Sequence, residues 1–181
     1  MDLLIWLLPA LVVAVVAVVY FVFGSFVFGA GYQPAPRSVV TSMLDLGEVG
    51  PTDTLYDLGA GTGAIVFRAV RERGARAVAV EVEPIRIGYL RLRRWWGGSP
   101  ERVEVRWGNL FDQDLGAATV VAVFLWPDAM RRLRPVFERR LKPGTRVVSH
   151  WHPVPGWSPE KVDAPNRVYF YRWSGGSPPP G

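Results

Sequence analysis

Hydrophobic positions run almost unbroken through the first 30 residues, then break into short blocks separated by polar turns. The opening stretch, LLIWLLPALVVAVVAVVYFVFGSFVFGA from Leu3 to Ala30, is nearly all apolar, and no charged residue stands between Asp2 and Arg37. About 20 such residues cross a bilayer core as a helix, and a helix satisfies its own backbone hydrogen bonds in lipid. The pattern therefore predicts one N-terminal transmembrane helix, an anchor over residues 1–30. A signal peptide would need a basic start, a shorter apolar run and a small-residue cleavage site; this N-terminus offers Asp2 and no Lys or Arg.

Beyond the linker the period changes. Val39, Val40, Met43, Leu44 and Leu46 recur at helical spacing, and DTLYDLG reads as a short strand. AIVFRAVRERG is a helix closed by Gly74, and ARAVAVEVE is a strand apolar enough to be buried on both faces. PIRIGYLRLRRWWGG is a helix with Pro84 in its first turn. RVEVRWGNLFD alternates as a strand does, and TVVAVFLW is a further buried strand. PDAMRRLRPVFERRLKPG is helical, with a kink expected at Pro135, and TRVVSHW and NRVYFYRW are strands. Between the last two, HPVPGWSPEKVDAP reads as a loop with a short edge strand. Strands alternating with helices predict an α/β fold with a mostly parallel, doubly wound sheet over residues 31–173. SGGSPPPG, residues 174–181, predicts a disordered tail.

Charge refines the picture. The net charge is +5, and Asp2 is the only charge before Arg37, so the body carries 5 − (−1) = +6. Basic residues after an apolar helix place the following domain on the cytoplasmic side. Arginine supplies 19 of the 21 basic residues; we read the excess as an affinity for an anionic membrane face or as composition bias, and nucleic acid is not an expected partner. With no cysteine and two histidines, disulfides, thiolate chemistry and a metal cluster are not expected.

The chemistry concentrates in YDLGAGTGAI, Tyr56–Ile65, a strand, glycine turn and helix start. Gly59, Gly61 and Gly63 let backbone approach a ligand without Cβ collision. Glu81 ends the next strand, where an acid can accept from ribose hydroxyls, and this suits both NAD and S-adenosylmethionine (SAM). A structural tight turn is the plain alternative. Asp57 favours SAM, because a pyrophosphate repels a nearby carboxylate whereas a sulfonium ligand with an ammonium group does not. GNLFD after the third strand and LKPGTRVV before a late strand point the same way. Together they resemble a class I SAM-dependent methyltransferase.

GYQPAP, DLGAGTGAIV, VEVEP, VFLWP, LKPGTRVVS and PVPGW follow the order and spacing of one small family of protein-lysine methyltransferases, which has archaeal broad-specificity and membrane-anchored mitochondrial members. The resemblance runs from about Gly31 to Trp157. It implies that Asp57, Gly59, Ala60, Gly61 and Gly63 line the methionine end of SAM, that Glu81 holds the ribose, and that Asn109 and Leu110 contact adenine. Three positions depart from the family pattern. Thr62 stands where Asp is usual before Gly63, Glu83 replaces Asn in the second-strand motif, and Asn109 replaces Asp. Each role has a structural alternative: a turn anchor for Asp57, a strand-end acid for Glu81, a turn-forming Asn for Asn109.

Acceptor-site candidates are Trp126 and Pro127, after the fourth strand, and Tyr32, ahead of the first body helix. An aromatic face there favours an ammonium; the alternatives are a core aromatic for Trp126 and a membrane-boundary aromatic for Tyr32. His150 and His152 either shape the cleft or are structural. RLRRWW reads as a solvated helix face whose Trp95 and Trp96 pack or touch the membrane. No catalytic side chain is expected, since positioning supplies most of the rate of methyl transfer. The expected function is a membrane-anchored, SAM-dependent methyltransferase acting on lysine side chains of a protein, with membrane proteins among the candidate substrates. The alternatives are a small-molecule or lipid acceptor, and a non-catalytic, membrane-tethered module that binds SAM or NAD.

Overall fold

The computed structural model describes residues 2–27, 34–98 and 100–176. Two compact units divide the chain, Met1–Gln33 and Pro34–Gly181. The boundary expected at residue 30, the candidate Tyr32 and most of the predicted tail lie outside the described residues.

The first unit is one helix, α1 (Asp2–Val27), which runs through Pro9. Its described side chains, residues 6–20, are all exposed and almost all apolar. That stretch rises roughly 22 Å, against a bilayer core of about 30 Å. Among the described residues no helix is long and apolar enough to cross a membrane, so the transmembrane assignment stands without structural support.

The second unit is a seven-stranded sheet with helices on both faces. In chain order its elements are α2 (Arg37–Leu46), β1 (Thr54–Leu58), α3 (Ala64–Arg73), β2 (Arg76–Glu81), α4 (Pro84–Trp96), β3 (Val103–Trp107), β4 (Val120–Val123), α5 (Pro127–Arg140), β5 (Arg146–His150), β6 (Lys161–Asp163) and β7 (Val168–Arg172). The strand order is β3-β2-β1-β4-β5-β7-β6. The first five strands are parallel, and β7 and β6 add antiparallel to the edge beyond β5. The mostly parallel sheet expected from the alternation is present, and the proline-rich segment contributes β6 as its edge strand.

Side-chain alternation along the strands divides the core. Leu55, Val120, Ala122, Val148 and Phe170 pack against Val40, Met43 and Leu44 of α2 and against Ile65 and Ala69 of α3. On the same face, Ala77, Ala79 and Val103 receive Val66 and Phe67 of α3 and Leu90 of α4. The opposite face buries Tyr56, Leu58, Val121, Val123 and Val147 under Met130, Leu133 and Phe137 of α5. There Trp157 stacks on Trp173 at 4.8 Å between ring centroids, so the segment after β5 and the chain end complete a layer that α5 alone does not fill. The α5 helix continues through Pro135. The β4 strand is shorter than its apolar run, because Phe124, Leu125 and Trp126 leave the ladder and lead into α5.

One ionic knot ties the amino ends of β1, β4 and β5. Asp53, buried, accepts from the Gly50 amide at 2.8 Å and from the Thr119 hydroxyl at 2.7 Å, and pairs with Arg146. Arg146 also donates to the carbonyls of Gly47 and Glu48. Removing one partner of a buried pair leaves the other charge uncompensated, at a cost of about 3 kcal/mol. Asp53→Ala is therefore expected to lower the unfolding free energy by about that amount in urea titration; an unchanged midpoint would show the knot to be dispensable.

Candidate cofactor and acceptor site

The sheet reverses its winding between β1 and β4, the place where open α/β sheets bind ligands beyond their carboxyl ends. At that edge β1 gives way to a turn in which Gly59, Gly61 and Gly63 all have left-handed backbone, with φ of 93°, 56° and 77°. The amides of Gly59 and Ala60 both donate to the Val80 carbonyl at 2.9 Å, and the Gly63 amide donates to the Ala60 carbonyl at 2.7 Å. At Gly63 a Cβ would lie 2.6 Å from Phe67 and 2.8 Å from Leu90. Gly63 also caps the start of α3 without a side chain, so the helix presents its first amides, and its positive dipole end, to this edge.

Glu81, at the end of β2, is buried and is used by the protein itself. Its Oε2 accepts from the Gly61 amide at 2.8 Å, and its Oε1 accepts from the amides of Val82 at 2.9 Å and Glu83 at 3.0 Å. The sequence predicts a ribose acceptor at this position; the structure adds a brace across the glycine turn that no motif announces. A carboxylate has about four acceptor sites, so capacity for ligand hydroxyls remains. Glu83, where the family pattern has Asn, accepts with its carboxylate from the Ile85 and Arg86 amides and caps α4.

Asp57 is 3% exposed at the carboxyl end of β1. Burial, and secondarily the Glu81 charge, raises its pKa to about 7. A carboxyl group with this pKa can ionise beside an arriving cation, which would favour its charged form.

Asn109 follows β3, exposed, and its Oδ1 accepts from the Phe111 amide at 3.1 Å. It therefore forms the turn, as its alternative reading held, and the second lone pair of Oδ1 stays available. Leu110 is half-buried against the α5-side core with Phe111. Arg132 lies over the Phe111 ring at 4.1 Å, and Arg140 donates to the Phe111 and Gln113 carbonyls, which fixes this turn from α5.

Trp126 precedes α5 and Pro127 is its first residue. Trp126 is 49% exposed, so it is no core aromatic. Its ring centroid is 6.2 Å from that of His152, while His150 meets Phe124 edge-on at 4.3 Å. The ends of β4 and β5 thus share one aromatic cluster. Burial pushes the His150 pKa down, against the backbone of Arg167 and Asn166, which pulls it up. Burial and the Arg167 charge lower that of His152. Between them Trp151 takes a φ of 70°, rare for a side chain of that size. Sequence reasoning left the histidines undecided; the pairing of β4 with β5, which places them beside Trp126, is not visible in spacing.

The structure thus gathers Asp57, Gly59, Ala60, Gly61, Gly63, Glu81, Asn109, Leu110, Trp126 and Pro127 at the carboxyl ends of β1 to β4. These residues fit a cationic nucleoside ligand: a turn open to close backbone approach, an acid at the ribose position and a buried acid at its end.

Two outcomes follow. Gly63→Ala is expected to destabilise the fold by about 2 kcal/mol or more, from overpacking and left-handed strain together; thermal unfolding at wild-type temperature would remove the close-packing argument. Because the Asp57 pKa rises from 3.8 to about 7 on folding, its stability contribution is complete below pH 3.8 and is lost as pH rises through about 7. Urea unfolding of the ligand-free protein across this window should show that decline, and Asp57→Asn should flatten it; parallel profiles for the two proteins would contradict the assignment.

Comparison with known proteins places this geometry. The sequence model described as the ANTKMT methyltransferase domain matches residues 57–161. A protein-lysine N-methyltransferase of Saccharolobus islandicus is 39% identical over 139 residues, 76% of this chain and 86% of the relative. The mouse adenine nucleotide translocase lysine N-methyltransferase is 33% identical, over 71% of this chain and 57% of the relative. A crystal structure described as an RNA methyltransferase from Salinibacter ruber in complex with S-adenosyl-L-homocysteine superposes with a TM-score of 0.78 at 41% identity, covering 81% of this chain and 97% of that one. With more than half of the chain matched by the family's sequence model, and a turn and buried acids that fit the nucleoside, the chain belongs to the ANTKMT methyltransferase domain family, class I enzymes whose methyl donor is S-adenosylmethionine.

Proposed function

We propose that the protein methylates lysine side chains of a protein substrate while α1 tethers it to a membrane, with the catalytic body on the cytoplasmic side. The observation that carries the enzymatic part is the left-handed glycine turn with buried Asp57 and Glu81 at the strand ends beside it. An ionised Asp57 favours the ammonium end of an amino-acid nucleoside over the pyrophosphate of a dinucleotide. The archaeal and mammalian relatives named for lysine methylation support the acceptor. The exposed apolar side chains of α1 and the first charge after it, Arg37, support the tether and its orientation.

SAM supplies a methyl group already activated on a sulfonium. The chain's residues have the remaining work of binding, orienting and drying. Asp57 releases its proton as the ligand's cation arrives. Glu81 holds the glycine turn to β2 and offers its spare lone pairs to the ribose, and Asn109 and Leu110 border the adenine. Trp126 and the Phe124–His150–His152 cluster form an aromatic rim whose ring faces attract an arriving lysine ammonium, and desolvation there, with the sulfonium charge, helps it lose its proton before transfer. Glu81→Ala, read from sequence alone, affects only the ligand; the three amides it would orphan make it a stability variant as well, so Glu81→Gln is the better probe.

Calorimetric titration of the full chain with S-adenosylhomocysteine and with NADH tests the cofactor. We expect binding of the first alone, with proton release near pH 7 detected in buffers of different ionisation enthalpy, and loss of that proton in Asp57→Asn. Equal binding of NADH would overturn the assignment. Incubation with radiolabelled SAM then tests the acceptor: label recovered as methyl-lysine after protein hydrolysis supports it, whereas label in RNA or in lipid extract would overturn it.

A further inference from the structure

The α4 helix has two apolar faces, and the body uses only one. Ile87 and Leu90 point inward with Arg86. On the opposite side Ile85, Tyr89, Leu92 and Trp96 recur at i, i+4, i+7 and i+11, which aligns them along one stripe. All four are exposed, and Trp96 and the adjoining Trp95 are each 79% exposed. Two indoles uncovered to that degree at one helix end are costly in water.

The flanks of the stripe are cationic. The α4 sequence PIRIGYLRLRRWW contains no acid. At 100° per residue Arg93 falls about 70° to one side of the stripe and Arg91 about 130° to the other, while Arg94 lies on the opposite face. Arg93 donates to the Thr62 carbonyl at 2.6 Å and covers the Phe67 ring at 4.4 Å. Arg94 donates to the Pro100 carbonyl at 2.7 Å. These contacts hold the guanidinium stems in place and leave their charge uncancelled, and Arg91 is exposed.

From this arrangement we infer that the outer face of α4 is a membrane-docking surface that lies in the headgroup layer of an anionic bilayer. Convex apolar stripes bordered by arginine and ended by tryptophan match the interfacial amphipathic helix: the aliphatic chains enter the acyl boundary, the indoles stay at headgroup depth and the guanidinium groups meet lipid phosphate. An acidic protein groove would suit the charge as well, but two adjacent indoles on a convex surface suit a fluid layer that deforms around them. This docking rests on the membrane reading of the protein and adds a second contact to it.

The chain has no cysteine, so single-cysteine variants of the full protein can be labelled without background. Trp96→Cys and, as controls, Val13→Cys in α1 and Arg139→Cys at an exposed position of α5 would carry an environment-sensitive fluorophore in phosphatidylglycerol vesicles with and without brominated lipid. Far-ultraviolet circular dichroism confirms that each variant is folded. We expect blue-shifted emission at position 96, quenched by brominated lipid, with water-like emission at 139. Arg91→Glu should reverse part of the shift at 96, as should replacing phosphatidylglycerol by phosphatidylcholine. Water-like emission at 96 with a quenched label at 13 would overturn docking and leave the tether standing; water-like emission at both would overturn both. A blue shift at 96 that brominated lipid does not quench would assign the stripe to a protein contact and equally overturn the proposal.

Discussion

The candidate site depends on the attachment of the glycine turn to β2. Two amides of the turn, from Gly59 and Ala60, converge on the Val80 carbonyl, and a third, from Gly61, is held by the Glu81 carboxylate. Backbone in the left-handed region has no intrinsic reason to stay where it is, and these three bonds fix it against the neighbouring strand. The same carboxylate gathers the amides of Val82 and Glu83, so the loop after β1 and the loop after β2 share one anchor. Glu83 in turn starts α4. Cofactor edge and helix α4 are therefore one mechanical unit, and a ligand that engages Glu81 touches both.

Burial of that anchor has an electrostatic side effect. The Glu81 charge adds to desolvation in raising the neighbouring Asp57. The two acids have different surroundings: Glu81 accepts from three backbone amides, while Asp57 is buried in a site that disfavours its charge. A structural requirement, holding the turn, thus tunes the functional group beside it.

The parallel strands and their helices were legible in the sequence because nearly continuous apolar runs such as ARAVAVE and TVVAV have one reading in a doubly wound sheet. The glycine turn, Glu81 and Asp57 were legible because their types and order follow from what a cationic nucleoside needs. Three things were not. The end of β4 is apolar through Trp126, so hydropathy cannot tell that the ladder stops at Val123. The adjacency of His150 and His152 to Phe124 and Trp126 depends on the β4–β5 pairing, which is long-range. Glu83 departs from the family pattern, and its role as the cap of α4 depends on a side-chain conformation that residue type does not announce.

The packing around Gly63 separates two neighbouring positions in their freedom to vary. Phe67 and Leu90 close the space beside Gly63 and its backbone is left-handed, so any side chain there must displace core. Thr62, one residue earlier, is only half-buried and stands where the resembling family usually carries Asp. Drift within this loop has one open channel, position 62, while position 63 is sealed by the body of the protein. Divergence among relatives should therefore collect at the first of these two residues, and a loop that has changed its chemistry at 62 can keep its shape through 63.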